Sequence, residues 1–355
     1  MSRPFVSVLI DTYNHERFIE EAVSSVLAQD FPASDREIQV VDDGSTDRTP
    51  EILSKFTSQV RILRKTNGGQ ASAFNFAISQ CRGEIVAFLD GDDWWAPGKL
   101  TAVVEAFSTN PTVGLVGHSI TEVFSDGVRR SELVRDAPKF RIDSVPGART
   151  FRLRKSFLGT SRMAFRTSLL RQIGPVPEAL VFEADEFLFT MGALFSDALL
   201  LLEPLSFYRH HEQNLFQINR NDPSSLRRKH GVMVALTDSV CRRFAAEQVP
   251  AEVAHEIVDA LQTEADTLRL ALGEGSRLEA FRTELRSYRL HHEHASPLRY
   301  LLKCISLVPA LCLSPRRYNV FKEKLASYSL YTKTRKRLLP LHQPNHVDRT
   351  GDWNI

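Results

Sequence analysis

The chain has 355 residues, 43% hydrophobic and 25% charged, with a formal net charge of +2. This composition excludes a disordered or fibrous chain, and the length allows one large domain with an extension, or two domains. No uninterrupted apolar run approaches the roughly 20 residues that a spanning helix needs, and so small a net charge points to no class of partner.

From the start, Met1-Ser2-Arg3-Pro4 runs directly into Phe5-Val6-Ser7-Val8-Leu9-Ile10, a short β-branched apolar run expected to be a strand with no signal peptide before it. Asp11-Thr12-Tyr13-Asn14 ends it. Phe18, Ile19, Ala22, Val23, Val26 and Leu27 then recur at helical spacing. Ile38-Gln39-Val40-Val41 predicts a second strand, ended by Asp42-Asp43-Gly44-Ser45, and Thr49-Pro50-Glu51 reads as an N-cap with proline at the first helical position. A third strand is expected over 60–63 and a third helix over 70–80. Between them lies Asn67-Gly68-Gly69-Gln70, a glycine-rich loop opening a helix and so offering N–H groups to a phosphate or ribose.

The apolar run 85–89 ends in Asp90-Gly91-Asp92-Asp93. Carboxylates on a turn at a strand end suit a hard divalent cation shared with a substrate phosphate, although a solvated acidic turn has the same composition. Gly91 would let the backbone approach a ligand closely. Strands alternating with helices imply a parallel sheet wound on both faces, with ligands beyond the carboxyl ends of its strands. Asp11, Asp43 and Asp90 each fall at such an end.

Four stretches together resemble one family: Val6-Ser7-Val8-Leu9-Ile10-Asp11-Thr12-Tyr13-Asn14, Val40-Val41-Asp42-Asp43-Gly44-Ser45-Thr46-Asp47, Asn67-Gly68-Gly69-Gln70-Ala71-Ser72-Ala73-Phe74-Asn75 and the Asp90–Asp93 cluster. They are similar to the family 2 glycosyltransferases of GT-A fold, which use nucleotide sugars and invert the anomeric centre. The likeness covers residues 4–100 and continues more weakly to about residue 216. It implies an α/β fold, a GT-A-like doubly wound and mostly parallel sheet with a C-terminal helical extension. The expected domains are a transferase domain over 1–216, split into a nucleotide-sugar half (1–119) and an acceptor half (120–216), and a mainly helical basic extension over 217–355.

The resemblance also assigns roles. Asp92 would bind Mn²⁺ or Mg²⁺, and Asp90 would reach the ribose, or the metal through water, while Asp93 caps the following turn or joins the cluster. Asp11 and Tyr13 would lie against base and ribose with Glu16 in the same pocket, and Asp43 would accept from a uracil-like N–H. Phe74 departs from the pattern, because the family commonly carries an arginine there.

In the acceptor half, Asp126-Gly127 signals a hairpin. Gly159-Thr160-Ser161-Arg162-Met163-Ala164-Phe165-Arg166 and Gln172-Ile173-Gly174-Pro175 resemble the family's acceptor-side strand and turn. An acidic group heading the next helix holds the general base in the family, and Asp185 is the candidate, with Glu186 and Glu183 as alternatives. In Tyr208-Arg209-His210-His211-Glu212-Gln213-Asn214, His211 matches the histidine that approaches metal or diphosphate.

Residues 220–295 read as helical, with Val232, Val234, Ala235, Val240, Leu261 and Leu268 as packing positions. Over 296–337 ten basic residues face Glu323 alone, a local charge of +9 interleaved with a dozen large apolar residues. Two readings fit: a packed extension with a solvated basic face, or a segment lying on an anionic membrane surface. Cys81, Cys241, Cys304 and Cys312 have neither metal-ligand spacing nor a disulfide pattern, so a reducing cytoplasm is expected, with peripheral attachment to the inner face of the plasma membrane on the second reading.

The expected reaction is inverting transfer from a nucleoside diphosphate sugar, a UDP-sugar in particular, to a glycan or lipid-linked hydroxyl, with nucleic acid excluded as partner. One rival is a sugar nucleotidyltransferase, which usually has a basic glycine-rich loop where this chain has Asp11-Thr12-Tyr13-Asn14. The other is a degenerate sugar-nucleotide scaffold, which would lack Asp92 or the second carboxylate.

Overall fold

The structure is a computed structural model that describes residues 4–132, 139–212, 214, 222–292 and 296–327. Contacts divide the chain into two compact units, 1–215 with 242–254, and 216–241 with 255–355.

The first unit begins with β1 (Val6–Thr12), α1 (Ile19–Leu27), β2 (Arg36–Asp42), α2 (Thr49–Ser54), β3 (Arg61–Arg64), α3 (Gln70–Ile78) and β4 (Ile85–Asp90). There follow β5 (Trp94–Trp95), α4 (Lys99–Thr109), β6 (Val113–Val123), β7 (Arg129–Ser131), β8 (Lys139–Phe140), α5 (Val145–Arg154), β9 (Ala164–Arg166), α6 (Thr167–Ile173), α7 (Ala184–Phe195) and β10 (Asp197–Arg209). One sheet runs in the order β3-β2-β1-β4-β9-β6-β10-β5, with β7 paired to β6 and β8 to β10. β1, β2, β3 and β4 are mutually parallel, and β10 runs parallel to β6. Antiparallel β9 separates the two parallel groups by pairing with both β4 and β6.

Strands covered on both faces read as continuous apolar runs rather than alternating ones, which is the pattern of β1 and β4. Val6, Val8 and Ile10 with Ile85, Ala87 and Leu89 join one core containing Ile19, Val23 and Val26 of α1 and Leu100, Val103 and Phe107 of α4. The alternate positions face the opposite layer. There Phe88 of β4 meets Phe74 of α3 edge-on, with centroids 5.2 Å apart, and Phe165 of β9 at 5.9 Å. Phe74 is fully buried, so the residue standing in place of the family's arginine is a core side chain.

Local differences from the sequence expectation have visible causes. Thr49 lies inside α2 rather than capping it, because the Asp47 carboxylate accepts its N–H at 2.9 Å and satisfies the helix end. β3 starts one residue later than expected and α3 ends at Ile78. The Asp126-Gly127 hairpin forms as expected: Thr121 pairs with Ser131 and Val123 with Arg129, while Gly127 takes φ +83°, which a side chain disfavours.

The second unit is helical in its described residues. Its elements are α8 (Pro223–Ala246), which continues into the first unit, α9 (Ala251–Ala271), α10 (Arg277–His291), α11 (Pro297–Ser306), α12 (Val308–Cys312) and α13 (Pro315–Ser327). Val232, Val240 and Leu261 are buried as expected, but Val234 is 38% exposed. The helical period puts Met233, Leu236 and Thr237 on the inner face with Val232 and leaves Val234 off it.

We expect Phe74→Ala to cost about 3–5 kcal/mol in urea unfolding, because it opens a cavity between α3 and β4. Phe76→Ala, at a position 39% exposed on the same helix, should stay within about 0.5 kcal/mol.

Candidate active site

Parallel pairing places Asp11 directly opposite Asp90 at the carboxyl ends of β1 and β4. The Gly91 N–H donates to the Asp11 carbonyl at 2.8 Å, which turns the chain and carries Asp92 and Asp93 over the sheet edge. A Cβ on Gly91 would lie 2.7 Å from Thr12 Oγ1 and 2.8 Å from His15 Nδ1. A close approach that demands glycine here is that of the β1 loop.

Asp92 Oδ2 lies 3.0 Å from His211 Nε2 and 3.8 Å from His15 Nε2. Its carboxyl is held below the usual range even though burial pushes it up, because the two imidazoles offset the burial. Burial in turn lowers His15. Arg209 braces this turn from beneath: its Nε donates to the Asp92 carbonyl at 3.0 Å, and its guanidinium stacks over Trp94 at 4.4 Å. Asp93 accepts the Arg209 N–H at 2.9 Å and is buried. Its role is thus to fasten β10, and burial with the neighbouring Asp92 raises its carboxyl to about 8.

The other carboxylates at the sheet edge are pushed the opposite way from Asp92. Burial raises Asp11, and Asp92, Asp185 and Asp43 add to the shift. Burial also raises Asp90, followed by Asp11, Asp92, Asp93 and Asp185. Asp11 Oδ1 is buried with no hydrogen-bond partner. Below the cluster the fully buried Lys99 donates to the Ser161 carbonyl at 2.8 Å and to Ser206 Oγ at 3.2 Å.

Asp185, in the first turn of α7, accepts from Thr160 N at 3.1 Å and Thr160 Oγ1 at 3.2 Å on one oxygen, and from Glu186 N at 2.9 Å on the other. Burial raises its carboxyl, and Glu186 adds to the effect. Glu186 differs, since the Lys155 ammonium is bonded to it. Glu183 precedes α7 in the left-handed region at φ +61° and is buried. The three acids that sequence leaves as alternatives are separated by their surroundings: Asp185 is held by Thr160, Glu186 is paired with Lys155, and Glu183 is buried ahead of the helix.

Several expected binding groups are engaged within the chain. Gly68 N and Gly69 N donate to the Asp43 carboxylate at 3.0 and 2.7 Å, and Lys65 Nζ joins it at 2.6 Å. Gln70 N and Ala71 N donate to the carbonyls of Val181 and Leu180. The loop N–H groups expected to meet a phosphate are consumed in this way, because the loop packs against the segment leading into α7. The Gln70 side chain accepts from Ala184 N at 3.0 Å and donates to Thr160 Oγ1 at 3.1 Å. Gln70 thereby ties the start of α7 to Thr160, the residue that holds Asp185. Glu16 accepts from Arg48 N at 3.0 Å and its own N–H donates to Asp47 at 3.0 Å, so it stitches the loops after β1 and β2 together. Tyr13 is 41% exposed at the β1 end, which leaves its ring open to a ligand.

Among the described residues, no three His, Cys, Asp or Glu side chains form a ready-made metal cage. The donor set that fits a divalent cation is Asp92 with His211, beside the partnerless Asp11 oxygen. His15, Lys99, Arg209 and Lys155 have no signal in the sequence as isolated residues.

Comparison with known proteins agrees with this geometry. Residues 7–174 match the family model described as glycosyl transferase family 2. The chain is 33% identical over 214 residues to an uncharacterized glycosyltransferase of Nostoc sp., spanning 59% of this chain and 66% of that relative, just under two thirds of its length. Its fold is similar to TarS 1–349 of Staphylococcus aureus in complex with UDP, with a TM-score of 0.51, 22% identity and coverage of 85% of this chain and 88% of that one. It is also similar to the mannosyltransferase PcManGT from Pyrobaculum calidifontis in complex with GDP-Man and Mn²⁺, with a TM-score of 0.55, 20% identity and coverage of 96% and 89%. The sheet with acids at its strand ends shares the fold of these two structures. Over residues 7–174, just under half of its length, the chain is similar to glycosyl transferase family 2.

The raised carboxyl of Asp93 carries a sign for stability. A group whose folded pKa lies above its unfolded value stabilises below the unfolded pKa and loses that contribution as pH rises through the folded one. With an unfolded value near 3.8 and a folded value of about 8, the loss spans that interval. We expect Asp93→Asn to flatten the decline in urea midpoint between the two pH limits, and an unchanged slope would remove Asp93 as its source.

Proposed function

We propose that the enzyme transfers a sugar from a UDP-sugar to an acceptor hydroxyl with inversion, in one displacement assisted by a divalent cation. The observation that carries this reading is Asp185: a half-buried carboxylate whose pKa desolvation raises, held by Thr160 at the start of α7, while its neighbour Glu186 is paired with Lys155. A general base works best when its pKa approaches the working pH, and desolvation is the means of raising it.

In this mechanism Asp185 takes the proton of the acceptor hydroxyl as that oxygen bonds to the anomeric carbon. The bond from that carbon to the diphosphate oxygen breaks on the opposite face, and configuration inverts. Thr160, held by Gln70, keeps Asp185 aimed through its N–H and hydroxyl. Asp92 and His211 would hold the cation, which supplies positive charge against the leaving diphosphate. Oxygen and imidazole donors together suit Mn²⁺, with Mg²⁺ the alternative. Tyr13 would face the base or ribose, and the Asp43–Lys65 pair would border the base, where Lys65 offers a cation on the side that lost an arginine at Phe74.

The UDP complex of TarS and the GDP-Man and Mn²⁺ complex of PcManGT support a nucleotide-sugar donor. The proposed acceptor is a glycan or lipid-linked hydroxyl at the side formed by β6, β7 and α7, near Asp185.

We expect Asp185→Asn to retain UDP binding and to lower turnover about 10²–10⁴-fold. In the wild type, activity should rise with pH through the raised carboxyl, because only the ionised base accepts the proton. If Glu186→Gln reproduces the loss while Asp185→Asn is mild, the assignment is wrong. Product analysis adds a separate check, since released UDP indicates transfer and pyrophosphate indicates a nucleotidyltransferase.

The cation assignment has its own test. Calorimetry of UDP with Mn²⁺ should show Asp92→Asn losing most of the metal-dependent gain in affinity while binding without metal is unchanged. Equal titrations with and without Mn²⁺ in both proteins would remove Asp92 from the role.

A further inference from the structure

The last described helices carry an apolar face turned outward. In α11 no residue is buried, and Leu298, Leu301, Leu302 and Ile305 are exposed, with Leu298 at 65%, Leu301 at 57% and Ile305 at 58%. Their spacing puts all four on one helical stripe. Val308 and Leu311 of α12 continue the exposed apolar surface. The inward face is separately accounted for, because Leu307, Ala310 and Tyr318 form a small core against Phe281 and Leu285 of α10. The stripe is therefore not the packing face of these helices.

The segment that carries this stripe is basic. Residues 296–327 hold six basic side chains and a single acid, a net +5. Arg299, Arg316, Arg317 and Lys324 are exposed, and Arg299 flanks the stripe at helical spacing. Lys333, Arg335, Lys336 and Arg337, expected to extend the basic tract, lie outside the described residues. Two copies of such a face would repel each other, whereas an anionic bilayer complements both its charge and its apolar stripe. Among the described residues no helix is long and apolar enough to cross a membrane. An amphipathic helix with basic flanks instead lies in the interface, with its apolar side among the acyl chains and its long cations reaching the headgroups.

We propose that the α11–α12 face docks this enzyme on the surface of an anionic phospholipid bilayer, with Leu298, Leu301, Leu302 and Ile305 inserted at the headgroup level. This assignment is independent of the donor chemistry, since none of these residues belongs to the transferase site.

Flotation of the full chain with phosphatidylcholine vesicles, and with the same vesicles containing phosphatidylglycerol, tests it. The wild type should float with the anionic vesicles at low salt, weakly with the neutral ones, and lose binding as salt rises. Leu301→Ser with Ile305→Ser should weaken binding to anionic vesicles at least about tenfold. Arg316→Gln and Arg317→Gln should each weaken it about fivefold. All these positions are exposed, so an unchanged melting temperature shows that the variants fold. Three results would overturn the proposal: no flotation with anionic vesicles at low salt, equal flotation of the serine variant, or equal recovery on neutral vesicles. A wild-type dimer that sedimentation shows dissociated by the serine changes, with no vesicle binding, would assign the face to self-association instead.

Discussion

The register of β1 against β4 is the constraint on which the rest of the first unit depends. It sets Asp11 beside Asp90 at one end of a parallel pair, where like charges in a dry environment repel strongly. Among the described residues no cation is bonded to either carboxylate, and both are pushed toward the protonated form. A site that concentrates unbalanced negative charge at a sheet edge is built to receive positive charge with its ligand. The chain supplies only partial relief, through Lys99 beneath, Arg209 at the Asp92 carbonyl and the imidazoles of His15 and His211.

The segment around Asp185 is tied to the glycine-rich loop by a short relay rather than by a shared strand. Gln70 opens α3, bonds Ala184 at the start of α7 and reaches Thr160, which in turn holds Asp185. The glycine-rich loop contributes by close packing: a Cβ on Gly69 would lie 2.6 Å from Val181 Cα. In this chain the loop's small residues serve to bring the two halves of the transferase domain together, and its N–H groups are spent on Asp43, Leu180 and Val181. Asp185 and the strand-end acids consequently keep a fixed relation even though 92 and 185 are far apart in sequence.

The aromatic layer explains how the departure at Phe74 is tolerated. An arginine there would place charge between α3 and β4, whereas phenylalanine completes an edge-to-face series with Phe88 and Phe165. A cation stands instead at the end of β2, where Lys65 from the loop after β3 is bonded to Asp43.

Sequence alone determined the strand-end acids, the alternation of strands and helices, and the acidic group heading α7, because each is a local pattern written in consecutive residues. Resemblance added which of these acids act together. The tertiary structure decided what each side chain does. Lys155 singles out Asp185 by neutralising Glu186 across 31 residues, Arg209 reaches Asp92 across 117, and His211 reaches it across 119. Such pairings leave no periodicity or spacing in the chain, since they depend on which loops the sheet order brings to one edge. The same holds for the apolar residues of 298–321, where sequence counts hydrophobicity but only packing separates Leu307 and Tyr318, turned into a core, from Leu301 and Ile305, turned away from it.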